Sequence, residues 1–162
     1  MSTFTAVHVA LSLAGILSGF VVVFGFLRGR RLDTSNGIFL ATTVLTSVTG
    51  FGFPFERLLP SHVVGALSLL VLALAIFARY ARHLAAGWHR AYVIAAVTAL
   101  YFNVFVLVVQ LFLKVPALNA LAPTQAEPPF AVAQLAVLAA FVVLGTMAVK
   151  REGHRLATAA SR

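Results

Sequence analysis

The sequence contains no cysteine. That excludes a disulfide framework, a thiolate metal site and a cysteine nucleophile, and it leaves the redox compartment unread. Acidic side chains are nearly as scarce: Asp33, Glu56, Glu127 and Glu152 are the only carboxylates, and each lies outside the long apolar runs. No acid is therefore placed to drive a proton-coupled pump from within a membrane. Charged residues of both signs make up 10% of the chain, against about a quarter in soluble domains. Too few remain to cover a water-facing surface.

What is present is apolar. The 162 residues are 61% hydrophobic with a mean hydropathy of +1.00, and they divide into runs at about 5–27, 37–53, 61–80, 91–114 and 130–149. Runs near about 20 residues match the thickness of a bilayer core. The expectation is an all-α integral membrane bundle of five transmembrane helices, one domain over 1–150, with a basic tail at 151–162.

The first run lacks the basic leader of a signal peptide, exceeds its usual apolar length and is followed by Arg28, Arg30 and Arg31, so it reads as a permanent span. Its GILSG string sets Gly15 and Gly19 four residues apart, a spacing that lets helix backbones approach, within the chain or in a dimer. The same string is loosely similar to the Gly-x-Ser-x-Gly elbow of serine hydrolases, but its serine is one place late, and that elbow needs a strand-to-helix turn whereas Ser18 sits inside a lipid-length helix. No catalytic residue is assigned.

Asp33, Thr34, Ser35 and Asn36 offer capping side chains for the second run. Within it Thr42, Thr46 and Thr49, and beside them Thr43, Ser47 and Gly50, make one broad small and polar face suited to helix packing, with a ligand channel as the alternative. The stretch Ser47 to Gly65 then turns the chain through Pro54 and Pro60. After the third run, Tyr80 and Trp88 read as headgroup-level anchors, with His83 and His89 on a solvated rim. In the fourth run Asn103, Gln110 and Lys114 share one face with Tyr92, Ala96 and Ala99, so that stripe faces protein. The connection 115–129 carries four prolines, and a loop of that length is functional or mobile. The tail is expected to fray.

Charge sets orientation. Of the twelve Lys and Arg residues, all but Arg57 and Lys114 fall in the first and third connections or the tail. By the positive-inside rule the amino terminus is outside and the carboxyl terminus cytoplasmic. The net charge of +8 does not indicate nucleic acid, because the basic residues end apolar runs instead of sharing a polar face with aromatics.

This topology brings His8, Glu56, Arg57, His62, Gln110, Lys114, Glu127 and Gln134 near the outer face, with Asn103 about 16 Å deeper than Lys114. Three readings follow: a charge network closing the bundle, a haem b or quinone site with His8 and His62 as opposed axial ligands or as hydrogen-bond donors to a quinone carbonyl, or handling of a small polar or lipid substrate with Glu56 or His62 as base and Lys114 as anion anchor. Metal ligation by His8 and His62 is expected only for haem, since the spacing is too wide for zinc. The favoured expectation is a non-catalytic or accessory membrane protein with a polar outer vestibule for a small ligand. A haem or quinone redox module is the alternative. Its partners would be the lipid bilayer and a second copy or a membrane complex.

The strings TTVLTSVTGFGFPFERLLPSH (Thr42 to His62), ARYARH (Ala78 to His83) and NVFVLVVQLFLKVPALNALAPTQAEPPF (Asn103 to Phe130) resemble those of a group of small, uncharacterised bacterial multi-span inner-membrane proteins. The resemblance covers about His8 to Val149. It implies a multi-pass protein of the bacterial cytoplasmic membrane and assigns no functional residue.

Overall fold

The computed structural model describes residues 2–30, 32–53, 60–85 and 87–160. Among them the chain is all helical: α1 (Thr3–Leu27), α2 (Asp33–Gly50), α3 (Pro60–Ile76) continued by a π-helical turn (Phe77–Ala81), α4 (Trp88–Lys114), α5 (Pro116–Leu121) and α6 (Pro128–Ala160). Four stretches are long and apolar enough to cross a membrane: Thr3–Leu27, His62–Ala81, Trp88–Lys114 and Pro128–Arg151. Helices suit that setting because each satisfies its own backbone polar groups without water.

Local sequence sets the ends. Ser2 caps α1 by accepting a hydrogen bond from the Thr5 amide. At the other end Gly29 adopts φ 65°, while Arg30 N bonds Gly25 O and Gly29 N bonds Phe26 O. That is the Schellman stop, which needs a left-handed residue. Pro116 opens α5 and Pro128 opens α6, where a missing N–H costs nothing.

Several boundaries differ from the sequence expectation. Helix α2 starts at Asp33 with Leu32 at its cap position and no side-chain cap. Asp33 instead pairs with Arg79, and Asn36 Nδ2 donates to Leu32 O. The α-helical part of the third run ends at Ile76 and a π turn follows. The fourth helix begins at Trp88, and His89 is buried instead of lying on a solvated rim. The four-proline connection contains a helix, α5, and the tail expected to fray continues α6 to Ala160, with no proline to interrupt it.

Helices α1 and α2 form an antiparallel hairpin in contact along its whole length. Gly25 faces Leu32, Gly19 faces Phe39 and Gly15 faces Thr43. Further on, His8 bonds Thr49 and the Phe4 ring meets Phe53. Helix α3 packs on α2 and α4, and α4 on α1, so α1 and α3 stand on opposite corners of a four-helix ring. Helix α6 lies outside this ring against α4 and α1. Phe141 anchors it on Phe20 and Tyr101, and its outer face shows Val132, Leu135, Val142 and Met147, as a lipid-facing helix would.

The two halves of the ring are packed differently. At the end nearer the basic connections, Val22, Val23, Phe26, Phe39, Leu72, Tyr92 and Leu100 form a dense core. An ion pair, Asp33 with Arg79, borders it, and the Arg79 guanidinium lies 5.5 Å from the Tyr92 ring centroid. At the other end the inward positions of α1, α2 and α3 are small: Ser12, Ser47, Gly50, Gly65 and Ser68. Helix spacing set by large residues at one end and small ones at the other leaves unfilled volume.

Candidate functional site: a cavity in the open half of the bundle

That volume is a cavity of about 520 Å³ between α1, α2, α3 and α4, within the range of about 300–1,000 Å³ for small-molecule sites. Its lining side chains follow one face of each long helix. On α1 these are Thr5, His8, Val9, Ser12, Leu13 and Ile16, and on α4 they include Phe102, Asn103, Val106, Leu107, Gln110 and Lys114. Spacings of three and four residues put each set on a single stripe.

The deep end is tied by polar contacts between helices. Asn103 Nδ2 of α4 donates to Thr43 Oγ1 of α2 at 3.3 Å, and Ser47 donates to Ser68 of α3 at 3.2 Å in a buried position. Such bonds in membrane bundles contribute about 0.6 kcal/mol each. The walls are apolar, and Val9, Leu13, Phe51 and Leu111 on the rim are also exposed on the outside of the bundle. The cavity is thus continuous with an apolar exterior. Its ionisable groups, His8, His62 and Lys114, collect toward the end where α1 starts and α4 finishes.

His8 is held by two aromatic and polar neighbours. Its ring meets Phe53 edge-on at 5.0 Å between centroids, and Nδ1 lies 2.8 Å from Thr49 Oγ1. The tautomer follows from the threonine. Thr49 Oγ1 carries one hydrogen, and it lies 2.7 Å from Leu45 O, an acceptor only. Both bonds exist together only if Thr49 donates to Leu45 and accepts from His8. His8 Nδ1 therefore carries a proton, and in the neutral ring Nε2 is the bare nitrogen. His62 is buried on α3, with its ring 5.9 Å from that of Phe51.

Of the residues singled out from sequence, His8, His62, Asn103, Gln110 and Lys114 line this one cavity. The two histidines sit on the opposed helices α1 and α3. Gln134 is placed elsewhere: its Nε2 donates to Phe105 O and seats α6 on α4. Glu127 closes its own turn, accepting from Thr124 Oγ1 at 2.9 Å and from Ala126 N at 3.1 Å. Desolvation raises its pKa and the hydrogen bonds from Thr124, Ala126 and its own amide lower it. The bonds prevail, so the carboxyl titrates below its ordinary value. Glu56 and Arg57 lie outside the described residues.

Sequence reasoning missed Thr5, Ser12 and Ser68 as lining groups, and held Thr46 and Ser47 as such only in its alternative reading of the hydroxyl face. The hydroxyl periodicity of α2 carried part of the signal, yet it reads equally well as helix packing, and Ser47 does both. Ser18 is no nucleophile, as its hydroxyl donates to Ala14 O at 2.6 Å. Among the described residues no group of three or more His, Cys, Asp or Glu is assembled to hold a metal ion. Compared with family models, curated proteins and solved structures, the chain matches none.

Proposed function

We propose that the protein is a non-catalytic or accessory membrane protein that takes a small amphiphilic ligand from the bilayer into its cavity. The observation that carries this reading is the cavity's polarity gradient. It has apolar walls open to the lipid-facing exterior through Val9, Leu13 and Leu111, and His8, His62, Gln110 and Lys114 gather where a polar headgroup would sit. Ligand sites of this size pair an apolar lining with a few placed polar groups.

In this reading α2 is a fifth span. It runs beside α1 from Leu32 to Phe53, so it covers the depth that α1 covers. Its hydroxyls face other helices and not lipid, which supports a crossing despite its lower apolarity. The distribution of Lys and Arg then puts the amino terminus and the cavity on the outer face and the tail in the cytoplasm. The resemblance noted above points to a bacterial cytoplasmic membrane.

The test is native mass spectrometry of the protein from mild detergent, followed by extraction and identification of what it carries. We expect a bound amphiphile in the parent and none in Val106→Trp, which fills the apolar wall. A parent that never carries one, in detergent or in nanodiscs made with native lipid, would refute the reading.

One pair of observations favours a second reading, haem b. His8 and His62 line the cavity from opposed helices, and His8 donates its Nδ1 proton to an oxygen, as metal-bound histidines do. A reduced-minus-oxidised visible spectrum decides it. Haem bands lost in both His8→Ala and His62→Ala would establish it, and a featureless spectrum removes it.

A further inference from the structure

The ligand's headgroup can be read from the donor and acceptor pattern that His8 offers, and this inference rests on the amphiphile-binding reading above. The Nδ1 hydrogen of His8 is held by Thr49, whose own hydrogen is held by Leu45 O. Among the described residues no carboxylate lies within ion-pair distance of the ring to favour its protonated form. A neutral imidazole so bonded keeps one uncommitted polar group, the Nε2 lone pair, which is an acceptor, on a ring that lines the cavity.

Ser12 repeats the pattern. Its hydroxyl, one turn along the same face, donates to His8 O at 2.8 Å, so the oxygen it shows the cavity is likewise left as an acceptor. Two adjacent lining groups of α1 thus accept hydrogen bonds and do not donate them.

We propose that the cavity selects amphiphiles with a hydroxyl headgroup, the hydroxyl donating to His8 Nε2 while the apolar body lies along Val9, Leu13, Val106 and Leu107. A carbonyl or ether headgroup sets lone pair against lone pair at that point and leaves Nε2 unsatisfied. If the natural ligand is a redox-active ring, the form bound at His8 is the hydroxylated quinol and not the quinone. This reverses the expectation that His8 donates to a quinone carbonyl.

The experiment compares 4-nonylphenol with its methyl ether, 4-nonylanisole, by calorimetric titration of the full chain in lipid nanodiscs. Dodecanol and its methyl ether serve as a second pair to separate phenolic from aliphatic hydroxyls. One net hydrogen bond predicts that a hydroxyl compound binds about tenfold more tightly than its ether. His8→Phe should abolish the preference and keep ether affinity. Thr49→Val, which frees Nδ1 and lets the ring turn over its tautomer, should shrink it without removing the ring. The ¹⁵N shifts of His8 should report a protonated Nδ1 and a bare Nε2 in the parent. Equal binding of hydroxyl and ether compounds in the parent, or the opposite tautomer, would overturn the proposal and leave the amphiphile reading standing. Binding of neither pair would overturn both.

Discussion

Tyr92 joins three helices to a fourth at the packed end. From α4 its hydroxyl donates to Asn36 Oδ1 of α2. Its ring meets the edge of Phe26 of α1 at 5.9 Å, and its face lies under Arg79, which continues α3. The residue is 1% exposed, so loss of the hydroxyl leaves Asn36 Oδ1 buried without its donor. Tyr92→Phe should lower stability by about 1–3 kcal/mol, the cost of an unsatisfied buried polar group. The double variant Tyr92→Phe with Asn36→Leu should recover part of that loss, since removing both partners leaves nothing unsatisfied. Thermal unfolding in one mild detergent measures both, and a double variant no more stable than the sum of its singles would contradict the pairing. The sequence makes Tyr92 legible as inward-facing, because it shares a stripe with Ala96 and Ala99. The role of Asn36 was not legible. A polar residue in the first turn of a helix suits a cap and an interhelical bond equally, and only the neighbour across the gap decides between them.

At the scale of the element, the α1–α2 hairpin depends on backbone proximity at Gly19. A Cβ added there would lie 2.6 Å from Leu100 Cδ1 and 2.9 Å from Phe39 Cε2, closer than side chains pack. Gly19→Ala should destabilise the bundle by about 1–3 kcal/mol, as overpacking does. Gly37, also helical, has nothing within 4 Å of the same added atom. Gly37→Ala should instead stabilise α2, by up to about 1 kcal/mol of helix propensity. Opposite signs of the two melting-temperature shifts are the expected result, and two neutral substitutions would show that α1 does not approach α2 and α4 so closely. The four-residue spacing of Gly15 and Gly19 announces a close helix contact in the sequence. The identity of the partner does not follow from spacing, which fixes a face and not what it meets. Here the face is filled by α2 and α4 of the same chain, so these glycines are not free to form a dimer seam.

At the scale of the molecule, the bundle is divided between a packed half and a hollow half, and the division follows side-chain size. Apolar periodicity revealed the helices because lipid demands long apolar runs. The cavity was only partly visible, since an enclosed volume is a property of four stripes together. His8 and His62, 54 positions apart, read as two lone histidines until the helix order places α1 opposite α3. The span count depends most on α2, whose hydroxyls lower its apolarity, and a chain without cysteine allows a direct test. With five spans, Ser2→Cys and Ala117→Cys should react with a membrane-impermeant thiol reagent from the same side of sealed vesicles, and Gly87→Cys from the other. If α2 failed to cross, the passage from α1 to α3 would add no crossing. Gly87→Cys would then label with Ser2→Cys, and Ala117→Cys would label alone. The positive-inside rule further predicts that the pair labelled together faces away from the cytoplasm. Labelling of Ser2→Cys and Ala117→Cys from the cytoplasmic side would keep five spans but invert the bundle, moving the cavity mouth and His8 to the inner leaflet and changing which lipid pool reaches the cavity.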